Sequence, residues 1–237
     1  MIPYLPQPTL ALGPFTVHAF GICAAASLLV AYVLVYRRAP LHGLEREWAI
    51  RAFVLSVIAG LVTGFLWSRM EARPGISASG VIVGGTGALL LLIGPAASRR
   101  AMLGRSIDLY AFALPFALAI ARLGCFLAHD HTGKVTHAWL GVRFPGGTRF
   151  DLGLLYAIAS AAIAVVLVWL SRKSLPAGAL SLITIALLAV SRLAILPLGA
   201  APAMDYAIAA AALVVSAVLL PLHLRSAFSS EWTGAGH

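Results

Sequence analysis

Acidic residues are scarce in this chain: eight Asp and Glu stand against seventeen Lys and Arg in 237 residues. Charge of either sign is thin, at 11% of residues, where an ordinary soluble domain carries about 25%. So little charge excludes a soluble globular protein, and a mean hydropathy of +0.95 excludes a disordered chain. The excess of basic residues gives a net charge of +9, but it is scattered along the chain and forms no patch. A nucleic-acid-binding module is therefore excluded as well. Only two cysteines occur, Cys23 and Cys125, both in apolar segments, so no disulfide framework is implied. There is no internal repeat, no low-complexity tract and no HExxH spacing. Met1 to Phe20 carries no basic residue, so the charged start of a cleaved signal peptide is missing. Arg37 and Arg38, beyond the first apolar run, fit an uncleaved anchor.

What the chain has instead is apolar runs. About 20 mainly apolar residues carry a helix across a bilayer, and seven stretches qualify: 16–36, 52–68, 76–98, 107–128, 152–171, 177–197 and 203–224. They are continuous and do not alternate, which indicates helices and not a barrel. With the N-terminus outside, ten Lys and Arg fall at cytoplasmic ends and five in outer segments, leaving two inside apolar runs. That asymmetry predicts an all-α integral membrane protein of seven transmembrane helices, N-terminus outside and C-terminus cytoplasmic. Residues 1–225 read as one membrane domain with an external loop at 129–150, and 226–237 as a polar, disordered tail. Within the loop, the alternating run from Trp139 to Phe144 reads as a short strand followed by a Pro145-Gly146-Gly147 turn. Gly80, Gly84 and Gly87 read as close helix packing.

Ionisable residues inside apolar runs are the informative exceptions, since each costs about 2.5–3.5 kcal/mol on insertion unless satisfied. The two are Arg122 and Arg192, both placed towards the outer side by this topology. Snorkelling to headgroups is the bland reading. The sharper one is an anion site, because a guanidinium fork fits a phosphodiester. Asp108, Asp151 and Asp205 fall at expected helix ends, where a carboxylate is an ordinary cap. With no acidic residue in the membrane interior, a lipid phosphate is the expected counter-ion of both arginines. A second cluster, His129-Asp130-His131-Thr132-Gly133-Lys134 with His137, could transfer protons or hold a metal. Its irregular spacing argues against metal, and no metal or other cofactor is expected. Asp130 would lie about two turns beyond Arg122 if the helix continued.

These residues carry a resemblance. Ala121-Arg122-Leu123-Gly124-Cys125-Phe126-Leu127 through Asp130, Gly133 and Lys134 is similar to the signature G-R-[IL]-G-N-F-x-N-G-E-x-x-G-[RK] of the bacterial prolipoprotein diacylglyceryl transferases. Val142-Arg143-Phe144-Pro145, Arg149 and Asp151 to Tyr156 resemble that family's F-P … R-H-P-S-Q-L-Y-E segment. Leu12-Gly13-Pro14 with His18-Ala19-Phe20-Gly21 resembles its opening, and Ser191-Arg192 its F-R pair.

The resemblance implies a multi-pass protein of the bacterial inner membrane. Its activity would be transfer of the diacylglyceryl group of phosphatidylglycerol to the lipobox cysteine thiol of preprolipoproteins. Its partners would be phosphatidylglycerol, the preprolipoprotein signal peptide and the lipid bilayer. It further implies that Arg122 and Arg192 engage the headgroup, with Gly133, Tyr156 and Ser79 completing the substrate-binding set. Ser79, in Ser77-Ala78-Ser79-Gly80-Val81, stands where the family has a histidine, and Cys125 where it has an asparagine. With that histidine gone, Asp130, His129 and His131 are the candidates for the base that takes the thiol proton. Two other readings stand beside this one: a non-catalytic phospholipid-binding or transport relative, and a metal-dependent intramembrane hydrolase.

Overall fold

A computed structural model describes residues 1–70, 76–93, 100–201 and 203–234. Among these, each of the seven apolar runs contributes an α-helix: α1 (Ala19–Arg38), α2 (Arg46–Met70), α3 (Ala78–Ile93), α4 (Arg100–Ala128), α5 (Leu152–Leu170), α6 (Ala179–Ile195) and α7 (Ala203–Gly234). A helix satisfies all its backbone groups internally, which is what a segment without water requires. Six are long and apolar enough to cross a membrane, whereas α3, with 16 residues, is shorter. The expected third span runs to 98, and 94–99 lie outside the described residues. Side chains such as Leu29, Val165 and Leu91, 63%, 70% and 84% exposed, point away from the protein. Apolar faces of that extent suit lipid and not water.

Three expectations need correction. α4 starts at Arg100 and not near 107, so Asp108 lies beyond the second turn, buried, and does not cap the helix. α7 runs on to Gly234 through the segment expected to be a disordered tail; no proline interrupts Arg225 to Gly234 to stop it. The all-α expectation gains strands: β1 (Ile2–Pro3), β2 (Thr9–Leu12), β3 (Phe15–His18), β4 (Thr132–Val135), β5 (Val142–Phe144) and β6 (Gly147–Asp151). The first apolar run thus begins as strand, because Phe15-Thr16-Val17 is β-prone and pairs antiparallel with β2.

The larger sheet has the order β1-β5-β6-β4. β5 and β6 form the hairpin expected around Pro145-Gly146, closed by Gly147 at φ +116°, a conformation natural to glycine. β1 joins in parallel, with Ile2 opposite Val142.

The chain divides into two compact units, residues 32–110 and residues 1–31 with 111–237. In the first, α2 packs on α3 through glycines. A Cβ on Gly80 would meet Gly64 Cα at 2.7 Å, and one on Gly64 would meet the Val81 side chain at 2.6 Å. Thr63 Oγ1 donates to Gly80 O across this contact at 2.6 Å. Close packing holds at Gly80 and Gly84 but not at Gly87, which faces open space. In the second unit, α5 packs on α6 and α6 on α7. The start of α5 meets the end of α4 at Gly153, where a Cβ would meet Phe126 N at 2.7 Å.

Candidate functional site

The site is built around the way α4 ends. The helix stops at Ala128, and His129 takes φ +53°, a left-handed conformation that histidine tolerates better than most residues. Its ring explains the choice. Nδ1 lies 3.0 Å from Asp151 Oδ2 and Nε2 2.8 Å from Leu5 O, while the ring stacks on Tyr4 at 4.7 Å. Phe126 and Phe144 meet it edge-on. Both nitrogens of this candidate base are therefore engaged by the protein itself. Asp151 caps α5 as expected, its Oδ1 accepting from Leu154 N–H at 3.2 Å. Burial pushes its carboxyl above the ordinary range, opposed by the hydrogen bonds from His129 and Leu154.

The reversal at His129 also decides where Asp130 and His131 go. On a continuous helix Asp130 would stand about 140° around from Cys125. Instead the chain folds back, and Cys125, Asp130 and His131 present donor atoms within 4.8 Å of one another. The Asp130 carboxylate accepts from His131 Nδ1, and both side chains are exposed. Asp130 is thus not two turns further along the helix from Arg122, as a continuing helix would have it.

Arg122, one turn before Cys125 on α4, lies over the Tyr156 ring at 5.1 Å. Among the described residues no carboxylate pairs with it. Arg192 differs. Its Nη2 donates to Asp205 Oδ1 at 3.0 Å, so the expectation that neither arginine has an acidic partner is corrected. The turn at Leu196–Leu198 returns the chain from α6 into α7 and brings the first turn of α7 beside the last turn of α6. Arg192 Nε remains buried without an acceptor among the described residues. Tyr156, half-buried on α5, is within electrostatic reach of Arg122, Arg192, Asp205 and Tyr206.

Gly133 is buried in β4, where a Cβ would meet Leu198 O at 2.6 Å. It lets the loop pass against the turn after α6. Ser79 belongs to the 32–110 unit, in the first turn of α3, and its side chain lies outside the described residues. The neighbouring Ser77 Oγ accepts from Gly80 N–H at 3.5 Å, as a helix cap does.

Sequence reasoning passed over Asp205 as a partner and Cys125 as part of the cluster. Cys125 was within reach: three residues from Arg122, it shares a helix face with it. The Asp205 pairing, across 13 residues and a turn, had no such local signal.

A family model described as prolipoprotein diacylglyceryl transferase matches residues 7–220. Three bacterial proteins named phosphatidylglycerol–prolipoprotein diacylglyceryl transferase are similar to the chain. One from Chromohalobacter salexigens is 27% identical over 207 residues, covering 78% of this chain and 76% of its own. One from Staphylococcus carnosus is 27% identical over 153 residues, covering 58% and 54%. One from Fervidobacterium nodosum is 26% identical over 140 residues, covering 53% and 47%. The chain spans about half the length of these last two relatives.

Proposed function

The chain belongs to the prolipoprotein diacylglyceryl transferase family, and from that premise we propose that it transfers the diacylglyceryl group of phosphatidylglycerol to the lipobox cysteine of preprolipoproteins. The setting is the bacterial inner membrane, with seven crossings, the N-terminus outside and the C-terminus in the cytoplasm. α3, at about 24 Å long, crosses only with the help of its glycine contact to α2.

The observation that carries the reading is a pair of guanidinium groups in apolar helices, Arg122 over the Tyr156 ring and Arg192 within electrostatic range of the same tyrosine. Arg122 has no carboxylate, and Arg192 keeps a buried donor at Nε. Both can therefore take the oxygens of a phosphodiester. As the glyceryl C3–O bond breaks, charge grows on the departing glycerol-1-phosphate, and donors already in place stabilise it without reorganisation. The nucleophile is the thiolate of the substrate cysteine, attacking C3. Of the three candidates for the proton-removal step, Asp130 and His131 are exposed and accessible to the substrate thiol, and the step is placed at that pair. His129 positions them by turning the chain and holding Asp151.

Phosphatidylglycerol-dependent thioether formation on a lipobox peptide in proteoliposomes tests the reading. Arg122→Gln and Arg192→Gln should each lose about 100-fold or more in rate, the scale of removing one charge-stabilising donor. The double variant should be little worse than either, because groups that clamp one headgroup are not additive. Lys at either position should rescue only in part, since it lacks the bidentate fork. Phosphatidylglycerol binding without thioether formation would favour the non-catalytic relative instead.

A further inference from the structure

Cys125, Asp130 and His131 each offer one donor atom, and the three lie within 4.8 Å of one another. A thiolate, a carboxylate and an imidazole are the ligand types of an open zinc site, with three protein ligands and a fourth position for an exchangeable one. The histidine spacing along the chain is irregular for a metal site, but spacing along the chain does not limit donors that a turn brings together. The turn at His129 removes that objection. With metal–ligand bonds of about 2.0–2.3 Å, tetrahedral donors stand about 3.3–3.8 Å apart. Closing on an ion therefore asks for roughly an ångström of movement, which the exposed side chains of Asp130 and His131 can make.

We propose that Cys125, Asp130 and His131 hold a zinc ion whose fourth position takes the thiol of the incoming lipobox cysteine. The proposal rests on the transferase reading and gives that reaction its proton-removal step. His129, the nearest other base, has both ring nitrogens engaged. A zinc-bound thiol loses its proton outright, and that proton passes to water. The bound thiolate then attacks glyceryl C3. The S–C bond forms, the C3–O bond breaks, and its electron pair leaves on glycerol-1-phosphate. The thioether product carries no charge and is a weak ligand, so it departs.

The charges close. Zinc with the Cys125 thiolate and the Asp130 carboxylate is neutral, and the substrate thiolate adds one negative charge. Arg122, one turn before Cys125 on α4, supplies the balancing positive charge. Its guanidinium lies over the Tyr156 ring at 5.1 Å.

The test uses the full chain purified in detergent, loaded with zinc and freed of excess by gel filtration. Elemental analysis should find about one zinc per chain in the wild type and in His137→Ala, and under about a fifth of that in Cys125→Ser, Asp130→Asn and His131→Ala. Asp130→Asn keeps the shape of an exposed side chain, so its loss of metal is not a loss of fold. Cobalt in place of zinc should give a thiolate-to-cobalt absorption band, absent in Cys125→Ser. That band should strengthen with a lipobox peptide but not with its Cys→Ser analogue. Wild-type chain that binds neither metal, or metal lost equally from His137→Ala, overturns the site. If chelator-treated protein still forms the thioether at full rate, the site is overturned while the transferase reading stands. Metal and peptide bound as expected with no thioether formed from phosphatidylglycerol overturns the transferase reading and leaves the site.

Discussion

At His129 one side chain ties together the end of α4, the cap of α5 and the N-terminal segment at Leu5. Replacing it by Ala leaves the Asp151 carboxylate, 1% exposed, without its side-chain partner. Breaking such a pair from one side costs about 3 kcal/mol. The cost depends on pH with a definite sign. The folded-state pKa of Asp151 is raised, so its contribution to stability is present below the ordinary carboxylate range and lost as pH rises through the raised value. Without His129 that pKa rises further. His129→Ala should therefore lower Tm more at neutral pH than in acid, and equal losses at both would refute the pairing. Arg192 yields a second prediction. Arg192→Gln leaves Asp205 unpaired, so adding Asp205→Asn should recover Tm but not thioether formation. Recovery of both would reduce Arg192 to a structural ion pair. The sequence marked Arg122 and Arg192 because a guanidinium in an apolar run is costly wherever it lies. It could not mark Asp205 as a partner, because that pairing depends on the turn between two helices.

α2 meets α3, and α4 meets α5, closely where side chains are missing. Gly153→Ala would drive a Cβ to 2.7 Å from the Phe126 backbone nitrogen, which cannot rotate aside as a side chain would. The start of α5 must shift, at about 1–3 kcal/mol for an overpacked contact, and Tyr156 shifts with it. Both Tm and transfer rate should fall. Gly87→Ala is the contrast: nothing lies within 4 Å, so the helix gains propensity alone, about 1 kcal/mol. A fall in Tm for Gly87→Ala would mean that α3 packs there after all. Helix existence was legible at this scale, since hydrophobic length is a local property. Helix ends were less so. α2 and α4 begin within charged residues that a count of apolar positions leaves out, while helical hydrogen bonding does not.

For the whole molecule, basic residues set the orientation, and the ten-to-five asymmetry of the sequence makes it testable. A reporter fused after Arg225 should read cytoplasmic, and one inserted near Gly146 external. The reverse pattern would put Arg122 and Arg192 near the cytoplasmic leaflet and remove the argument for an outer-leaflet lipid.

The sequence by itself determined that this chain lives in a membrane, where its apolar helices lie, and which two arginines do not belong in lipid. Those follow from transfer free energies, which act residue by residue and need no knowledge of neighbours. Even the Asp151 cap was readable, because a cap bonds within its own first turn. Only the tertiary structure decided what each charge meets. Arg122 acquires Tyr156, and Arg192 acquires Asp205. Cys125, Asp130 and His131 become one cluster. All three outcomes depend on where a helix stops and which way the chain turns next. For Arg192 the turn is at Leu196–Leu198, and for the Cys125 cluster it is at His129, held by Asp151, Leu5 and Tyr4, residues far away in sequence that only folding brings within reach.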